Sequence, residues 1–442
     1  MSVPLAAHWP ARRSFNRHRI LHMPRSCRPV CHRHRRARAA ACLLAVAVAL
    51  PGAAFAQSGP KWTFGGFGTV GAVHSSEKFA DYAATPLSPG QAGYTRDWAF
   101  DVDSRLGAQL AVQLDKRWSG VIQVISERTV TAGFQPHVEW ANVKYQATPD
   151  LSIRVGRIAA PMFLAADYRK ASFALPWVRP PVELYSTMPI TNSDGVDATY
   201  RWNTGFMRLT TQAFVGGTRI HLARDFTARA RHGGINQTAV LGALTLGVSL
   251  SQARLEVPNG GELFDVLDRF GPQGRALTER YDVRSRRTNV FAAGFNYDPG
   301  NWFVQGEIGR VNTRSMLGDQ TGTYVSGGYR FGSLTPFVTL SHVRANMATR
   351  VEGLATTHLP PPAAALAGQA NAVLNDFLRE VPDQSSASVG LRWDVAPNYA
   401  VKLQFDSAKP HKDSVGTLVN VQPGFRSDRA FRVFSASLDF VF

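Results

Sequence analysis

The chain has 442 residues, with 49 lysines and arginines against 32 aspartates and glutamates, a formal charge of +17, and 44% hydrophobic content. The charge excess is concentrated at one end: Met1 to Arg38 holds ten arginines, five histidines and no acidic residue. All three cysteines, Cys27, Cys31 and Cys42, lie there too, so the later chain offers no thiolate nucleophile or cysteine metal site, and no later stretch reaches the roughly 18 consecutive apolar residues of a membrane-spanning helix.

In chain order, the basic stretch is followed by an apolar run from Ala39 to Leu50, then Pro51, Gly52 and the small-residue pattern Ala54-Phe55-Ala56. A basic segment, an apolar core and a small-residue site make a cleavable secretory signal over 1–56, with cleavage before Gln57 and translation starting at Met1 or Met23. Without it, 39 basic residues face 32 acidic ones and the charge falls to +7. The nucleic-acid reading thereby loses its main support.

From residue 57 onward the dominant pattern has period 2. Leu106, Ala108, Leu110, Val112 and Leu114 alternate with Arg105, Gln109 and Gln113; Ala387, Val389, Leu391 and Trp393 alternate with Ser388, Gly390, Arg392 and Asp394. Such alternation marks half-buried strands. The pattern predicts sixteen of them, near 61–75, 97–114, 119–130, 137–147, 151–158, 194–202, 206–216, 230–242, 243–256, 286–297, 302–313, 321–331, 334–345, 385–395, 399–408 and 430–442. Tight turns are legible at Asp115 to Trp118, Thr148 to Asp150, Asn203 to Gly205, Asp298 to Asn301, Gly332-Ser333 and Ala396 to Asn398, where Pro, Gly, Asn and Asp supply the dihedrals. Between them lie long loops near 76–96, 159–193, 218–229, 257–285, 346–383 and 408–429. In 360–382, Leu366, Ala370, Val373 and Phe377 at helical spacing predict a short external helix.

Three features select a transmembrane antiparallel β-barrel over a soluble sandwich. Strands of about ten residues carry charges on one face, which suits a wet lumen and not a dry inter-sheet core. Short turns alternate with long loops. Aromatic residues cluster at strand ends, among them Trp98, Trp118, Trp140, Tyr145, Trp202, Tyr297, Trp302, Trp393, Tyr399 and Phe442, as in the interfacial girdles of barrels. About sixteen strands leave a lumen wide enough for water.

The residues 57–442 thus resemble the sixteen-stranded porins of Gram-negative outer membranes. The resemblance rests on the signal, the missing cysteines, the long loop after the fifth strand and the end Asp439-Phe-Val-Phe442. It also rests on Gly156-Arg157-x-x-x-Pro161-x-Phe163-x-x-x-Asp167-Tyr168-Arg169, Trp177-Val-Arg-Pro-Pro181-x-Glu183-x-Tyr185, Asp194-Gly-Val-Asp197, Gln384-Ser385-Ser386 and Gly390-Leu-Arg-Trp-Asp394. It implies an outer-membrane location, passive diffusion of small hydrophilic solutes and ions, a homotrimer, contact with outer-membrane lipid and lipopolysaccharide, and Phe442 as the mark read by the barrel-insertion machinery. It also implies an inward-folded third extracellular loop. Where the general trimeric porins carry Pro-Glu-Phe-Gly-Gly in that loop, this chain reads Pro161-Met-Phe-Leu-Ala-Ala-Asp167, without the Glu and both glycines.

A channel needs a narrow place with a field across it. The 159–193 loop, stiffened by Pro161, Pro176, Pro180, Pro181 and Pro189, would bring Asp167, Arg169, Lys170, Arg179 and Glu183 to a constriction. Lumen-facing bases opposite it would be Arg105, Lys144, Arg154, Arg201, Arg208, Arg330, Arg392 and Lys402. With the +7 balance they predict a mild anion preference; the alternatives are a solute-specific channel for phosphate or organic anions, or a surface adhesin or receptor. No cofactor, metal site or enzyme activity is expected: Gly66-Phe-Gly68-Thr-Val-Gly71 matches a dinucleotide fingerprint but lies inside the first strand with no helix after it, and the histidines show no ligand spacing.

Overall fold

The computed structural model of the chain describes residues 59–88, 90–130, 133–223, 226–258 and 260–442. The expected signal over 1–56 lies outside them. Sixteen strands form the wall: β1 (Lys61–Ser75), β2 (Arg105–Gln113), β3 (Trp118–Glu127), β4 (His137–Gln146), β5 (Leu151–Ala159), β6 (Asn192–Asn203), β7 (Arg208–Ala223), β8 (Phe226–Leu241), β9 (Leu244–Glu256), β10 (Ser285–Tyr297), β11 (Trp302–Asn312), β12 (Asp319–Tyr329), β13 (Leu334–Ala345), β14 (Gln384–Ala396), β15 (Tyr399–Pro410) and β16 (Phe431–Val441). Each pairs antiparallel with its sequence neighbours, and β1 pairs with both β2 and β16, so the sheet closes. The last residue completes the seam: Gly66 N donates to the Phe442 carbonyl at 2.9 Å and Phe442 N to the Gly66 carbonyl at 3.1 Å. A closed sheet leaves no unpaired edge, the condition for spanning lipid.

The period-2 pattern sorts the two faces. Outward stand Leu106, Leu110, Ile122, Val143, Val155, Leu250, Phe291, Ile308, Val338, Val389 and Leu403, all exposed. Inward stand Thr69, Gln123, Ser249, Glu307, Ser326, Thr339, Gln404 and Asp439, buried by what fills the interior. Aromatic pairs ring the short-turn end, including Trp118 with Tyr145 at 4.7 Å, Tyr200 with Trp202 at 4.4 Å, Tyr297 with Trp302 at 5.2 Å and Tyr329 with Phe331 at 4.5 Å. This is where a lipid interface holds amphipathic rings.

Three expectations need correction. The strand expected over 97–114 is broken: a two-residue piece, Trp98–Ala99, pairs with β1, and the bend at 100–104 turns Asp103 inward before β2 begins. The loop expected at 218–229 is a tall hairpin, because Thr218, Ile220 and His221 keep the strand alternation and pair with Ala230, Ala228 and Thr227. The connection at 257–284 holds two helices, α2 (Glu262–Asp268) and α3 (Gly271–Tyr281). Their signal was Leu263, Phe264, Val266 and Leu267, a buried i, i+1, i+3, i+4 set. The helix expected in 360–382 is α4 (Pro361–Arg379), and its buried stripe is Ala367, Ala370, Leu374 and Leu378. Ala370 was among the residues read from the sequence.

Candidate functional site

The longest connection without a hairpin or long helix, residues 160–191 between β5 and β6, lies against the inner wall. It contains one turn of helix, α1 (Val182–Tyr185), and a short 3-10 turn, Ser172–Ala174. Met162, Phe163, Leu175, Trp177, Leu184, Tyr185 and Met188 form an apolar cluster with the inward residues Val290, Ala292, Phe303, Val311, Tyr324 and Phe337. Burial of so many large side chains inside the barrel is the main force holding the segment there, at about 1.5 to 3 kcal/mol for each fully buried one. Small residues on the wall make room. A Cβ on Gly322 would stand 2.4 Å from the Glu183 carbonyl oxygen and 2.9 Å from Leu184 Cα, so α1 packs backbone to backbone against β12.

Polar anchors fix the register of this packing. Trp177 Nε1 donates to Ser326 Oγ at 2.9 Å and Thr339 Oγ1 at 3.0 Å, and Val178 N to Gln404 Oε1 at 3.1 Å. Glu307 Oε2 accepts from Leu164 N at 2.7 Å, and its Oε1 from Tyr185 and Tyr324 hydroxyls at 2.6 and 2.9 Å. At the far side Arg179 grips Asp103 with two bonds of 2.8 and 2.6 Å, donates to Ser435 Oγ at 2.7 Å and lies 5.2 Å from the Tyr82 ring centre. Charge-assisted bidentate bonds are the strongest side-chain links available. Burial and the neighbouring carboxylates together leave the Tyr82 hydroxyl well above its ordinary range, with Arg179 opposing. Tyr82 is therefore a neutral donor or ring partner at any ordinary pH.

The residues read from the sequence fall into two groups. Arg169, Lys170, Arg179 and Glu183 are structural. Arg169 donates to the Met188 and Ile190 carbonyls at 3.3 and 2.7 Å; Lys170 bonds Glu127 and approaches Glu139 at 3.9 Å. Glu183 accepts from Ser341 and Gln384, both at 2.7 Å, and from Ser386. Arg392 and Lys402 point inward but serve the same anchoring. Arg392 donates to the Phe173 and Leu175 carbonyls at 2.5 and 2.9 Å, while Lys402, fully buried, joins Asp439 at 2.9 Å and the Ser172 and Trp177 carbonyls at 2.6 and 2.9 Å. Lys402 therefore does not meet water. Arg330 lies at the short-turn rim, partly exposed, where it clasps Asp298 at 2.7 Å and lies 5.4 Å from the ring centre of the inward Phe303. Arg105 lies 3.8 Å from Glu127.

The second group faces open space. Asp167 and Tyr168 are exposed on the segment. Enclosure by the barrel nevertheless raises the Asp167 carboxyl above its ordinary range; Arg154 pulls it back and Asp197 adds to the rise. On the wall, Lys144 stands directly opposite Arg154 in the β4–β5 ladder, and both Arg154 and Arg201 are close enough to repel it. Arg154 alone has a partner, Asp197 at 2.7 Å; among the described residues Lys144, Arg201 and Arg208 make no ion pair. The two sequence motifs around 156 and 194 prove to be one structure. Across β5 and β6, Arg154 faces Asp197, Gly156 faces Gly195 and Arg157 faces Asp194. Gly156, at φ +125°, is placed where a Cβ would strike the Ala141 carbonyl at 2.3 Å.

Sequence reasoning missed Asp103, Glu307, Glu127 and Glu139, the acids that receive the segment. A lone carboxylate on an otherwise uncharged inward face, as in Phe303, Gln305, Glu307, Gly309 and Val311, was the available signal. Among the described residues no cluster of three or more His, Asp or Glu side chains is arranged to hold a metal.

A sequence model of the Gram-negative porins matches residues 40–422. Among curated proteins no match to the chain is found. Solved structures of similar fold include an anion-selective porin from Comamonas acidovorans, 11% identical over 87% of this chain and 100% of that one, TM-score 0.51. They also include the outer membrane channel DcaP of Acinetobacter baumannii, 11% identical over 87% and 99%, TM-score 0.51. A third is the trimer form of OmpT, an outer membrane protein of Vibrio cholerae, 10% identical over 87% and 100%, TM-score 0.50. At such identities the neighbours speak for the fold, while the match across most of the chain speaks for ancestry. A closed sixteen-stranded barrel with a lipid-facing apolar wall, a polar interior and that family match make the chain a member of the Gram-negative porins, an outer-membrane channel protein.

Proposed function

We propose that the channel is mildly anion-preferring and that its narrowest passage runs between the 160–191 segment and the inner face of β4 to β7. The observation that carries this is the set Lys144, Arg154, Arg201 and Arg208, in which four cations share one carboxylate, Asp197. Like charges placed directly opposite on a ladder weaken a sheet, so their retention on a wet wall fits attraction of passing anions. Asp167 stands across from them on the segment and supplies the opposite end of a transverse field. The segment packs mainly on β8 to β16, with Lys170 reaching Glu127 on β3 and Glu139 on β4 at one end, and this supports a passage displaced to the β4–β7 side.

The same proposal includes removal of residues 1–56 before insertion and assembly as a homotrimer, the state described for the Vibrio cholerae OmpT neighbour. It assigns no catalytic step and no cofactor. Planar-bilayer recording tests it. A salt gradient across the bilayer is expected to give a reversal potential of anionic sign. Lys144→Glu together with Arg201→Glu is expected to move it to cationic sign with little change in step size. A wild-type reversal potential of clear cationic sign, or an unchanged one in the double variant, sinks the proposal.

A further inference from the structure

Behind the inward segment, the barrel buries more negative charge than its own cations match. Between residues 177–183 and the wall strands β13 to β15 lies a small cavity of about 20 Å³, lined by Arg179, Glu183, Ser341, Ser386, Ser388 and Asp406. A cavity of that size holds one water-sized particle. Its charged lining groups are Arg179, Glu183 and Asp406. Arg179 already gives two hydrogen bonds to a third acid, Asp103, and one each to Ser435 and Tyr82. One guanidinium thus serves three carboxylates, all of them buried.

Hydrogen bonds satisfy Glu183 and leave Asp406 short. Glu183 accepts three, from Ser341, Gln384 and Ser386. Asp406 Oδ1 accepts one from Gln404 Nε2 at 2.8 Å, but Oδ2, shut off from solvent, accepts none among the described residues. Arg179 Nη1 stands 3.6 Å from it, beyond hydrogen-bond reach. A buried charged oxygen without a partner is strongly unfavourable. Ser341 and Ser386 cannot supply the missing donor, because each hydroxyl has one proton and gives it to Glu183. What they can still present is lone pairs. Lone pairs and a bare carboxylate oxygen around a water-sized space suit a hard cation. Only one carboxylate lacks compensation, which matches a single positive charge. A dehydrated alkali ion close to water in size fits that space, with protein oxygens replacing its hydration shell.

We propose that this cavity binds a monovalent alkali cation against Asp406 and that the ion helps hold the segment on the wall. Ser341 and Ser386 are cross-strand partners on β13 and β14, and Ser388 and Asp406 on β14 and β15, whereas Glu183 belongs to the segment. An ion among them joins the two. The site lies behind the segment and away from the β4–β7 passage, so the inference stands whichever sign of ion the channel prefers.

The test uses the whole barrel in detergent, with potassium chloride exchanged for N-methylglucamine chloride at constant ionic strength, since that organic cation is too large for the cavity. For a dissociation constant of about 0.1 M or tighter, raising potassium from about 0.01 M to about 1 M is expected to lower the unfolding constant at fixed urea about tenfold or more. Asp406→Asn is expected to lose that dependence. Crystals grown in potassium chloride and measured near the potassium absorption edge are expected to show an anomalous peak in the cavity beside Asp406. Equal stability of the unaltered protein in the two salts, a potassium dependence that Asp406→Asn retains, or no anomalous peak overturns the proposal. A water or a proton in the ion's place gives the first and last of these results. Those two measurements use the unaltered protein, so they decide the matter even if the variant does not fold.

Discussion

Replacing Arg179 by Ala isolates the anchor that ties the far end of the 160–191 segment to the wall. The guanidinium and the Asp103 carboxylate are almost fully withdrawn from solvent, with side-chain exposures of 3% and 0%, and Asp406 lies 3.6 Å from the same guanidinium. Truncation therefore leaves two buried carboxylates facing no cationic side chain. Removing one partner of such a pair costs about 3–5 kcal/mol, most of it the uncompensated charge. At about 1.4 kcal/mol per factor of ten, the docked state loses roughly two to three and a half powers of ten against undocked ones. Urea unfolding of the barrel in detergent, followed by tryptophan fluorescence with buried Trp177 as the local reporter, reads the stability. Single-channel recording reads the segment, with noisier and larger steps expected in Arg179→Ala. In a double-mutant cycle with Asp103→Asn, the coupling is expected to be at least about 2 kcal/mol. A coupling below about 0.5 kcal/mol, with quiet channels, would refute the reasoning that this pair holds the segment down.

Acidification offers a second test. Because enclosure raises the Asp167 carboxyl, its negative charge is lost at a higher pH than for a free carboxylate as the pH falls, and the passage becomes more anion-preferring. The reversal potential should therefore move in the anionic direction above the usual carboxylate range, and Asp167→Asn should remove that step; identical titrations of the two proteins would count against it. Gly322→Val forces side-chain atoms into the Glu183 backbone, so a loss of about 1–3 kcal/mol from overpacking is expected by the same urea assay, and wild-type stability would show that α1 does not pack there. Deleting Phe442 removes the two backbone bonds to Gly66 and the ring contacts with Phe64 and Phe440 at 6.0 and 6.4 Å. Refolding yield, read as heat-modifiable gel mobility, should fall severalfold, and an unchanged yield would deny the seam a role in closure.

The sequence by itself determined the barrel. Side chains on a strand alternate faces with period 2, and a wall with lipid on one side and water on the other writes that alternation along its whole length, so β1 and β13 fall at the predicted residues and the turns at 115–118 and 298–301 bound the strands on either side. What broke the pattern was local: the bend at 100–104 exists because Asp103 turns toward a residue 76 positions away, and the hairpin at 218–229 because the two strands go on pairing past the expected loop, Ile220 with Ala228 and Arg219 with Arg229. The partners of the inward segment could not be read at all. Arg179 and Glu183 looked like constriction charges because a charged residue on a loop is usually solvated; only the tertiary structure brings Asp103, Ser435, Ser341 and Gln384 around them and turns them into buried anchors. Lys402 and Arg154 are both bases on polar strand faces, indistinguishable by pattern. Which one meets water depends on where the segment from β5 to β6 lies across the interior, and that is decided by packing between residues hundreds of positions apart.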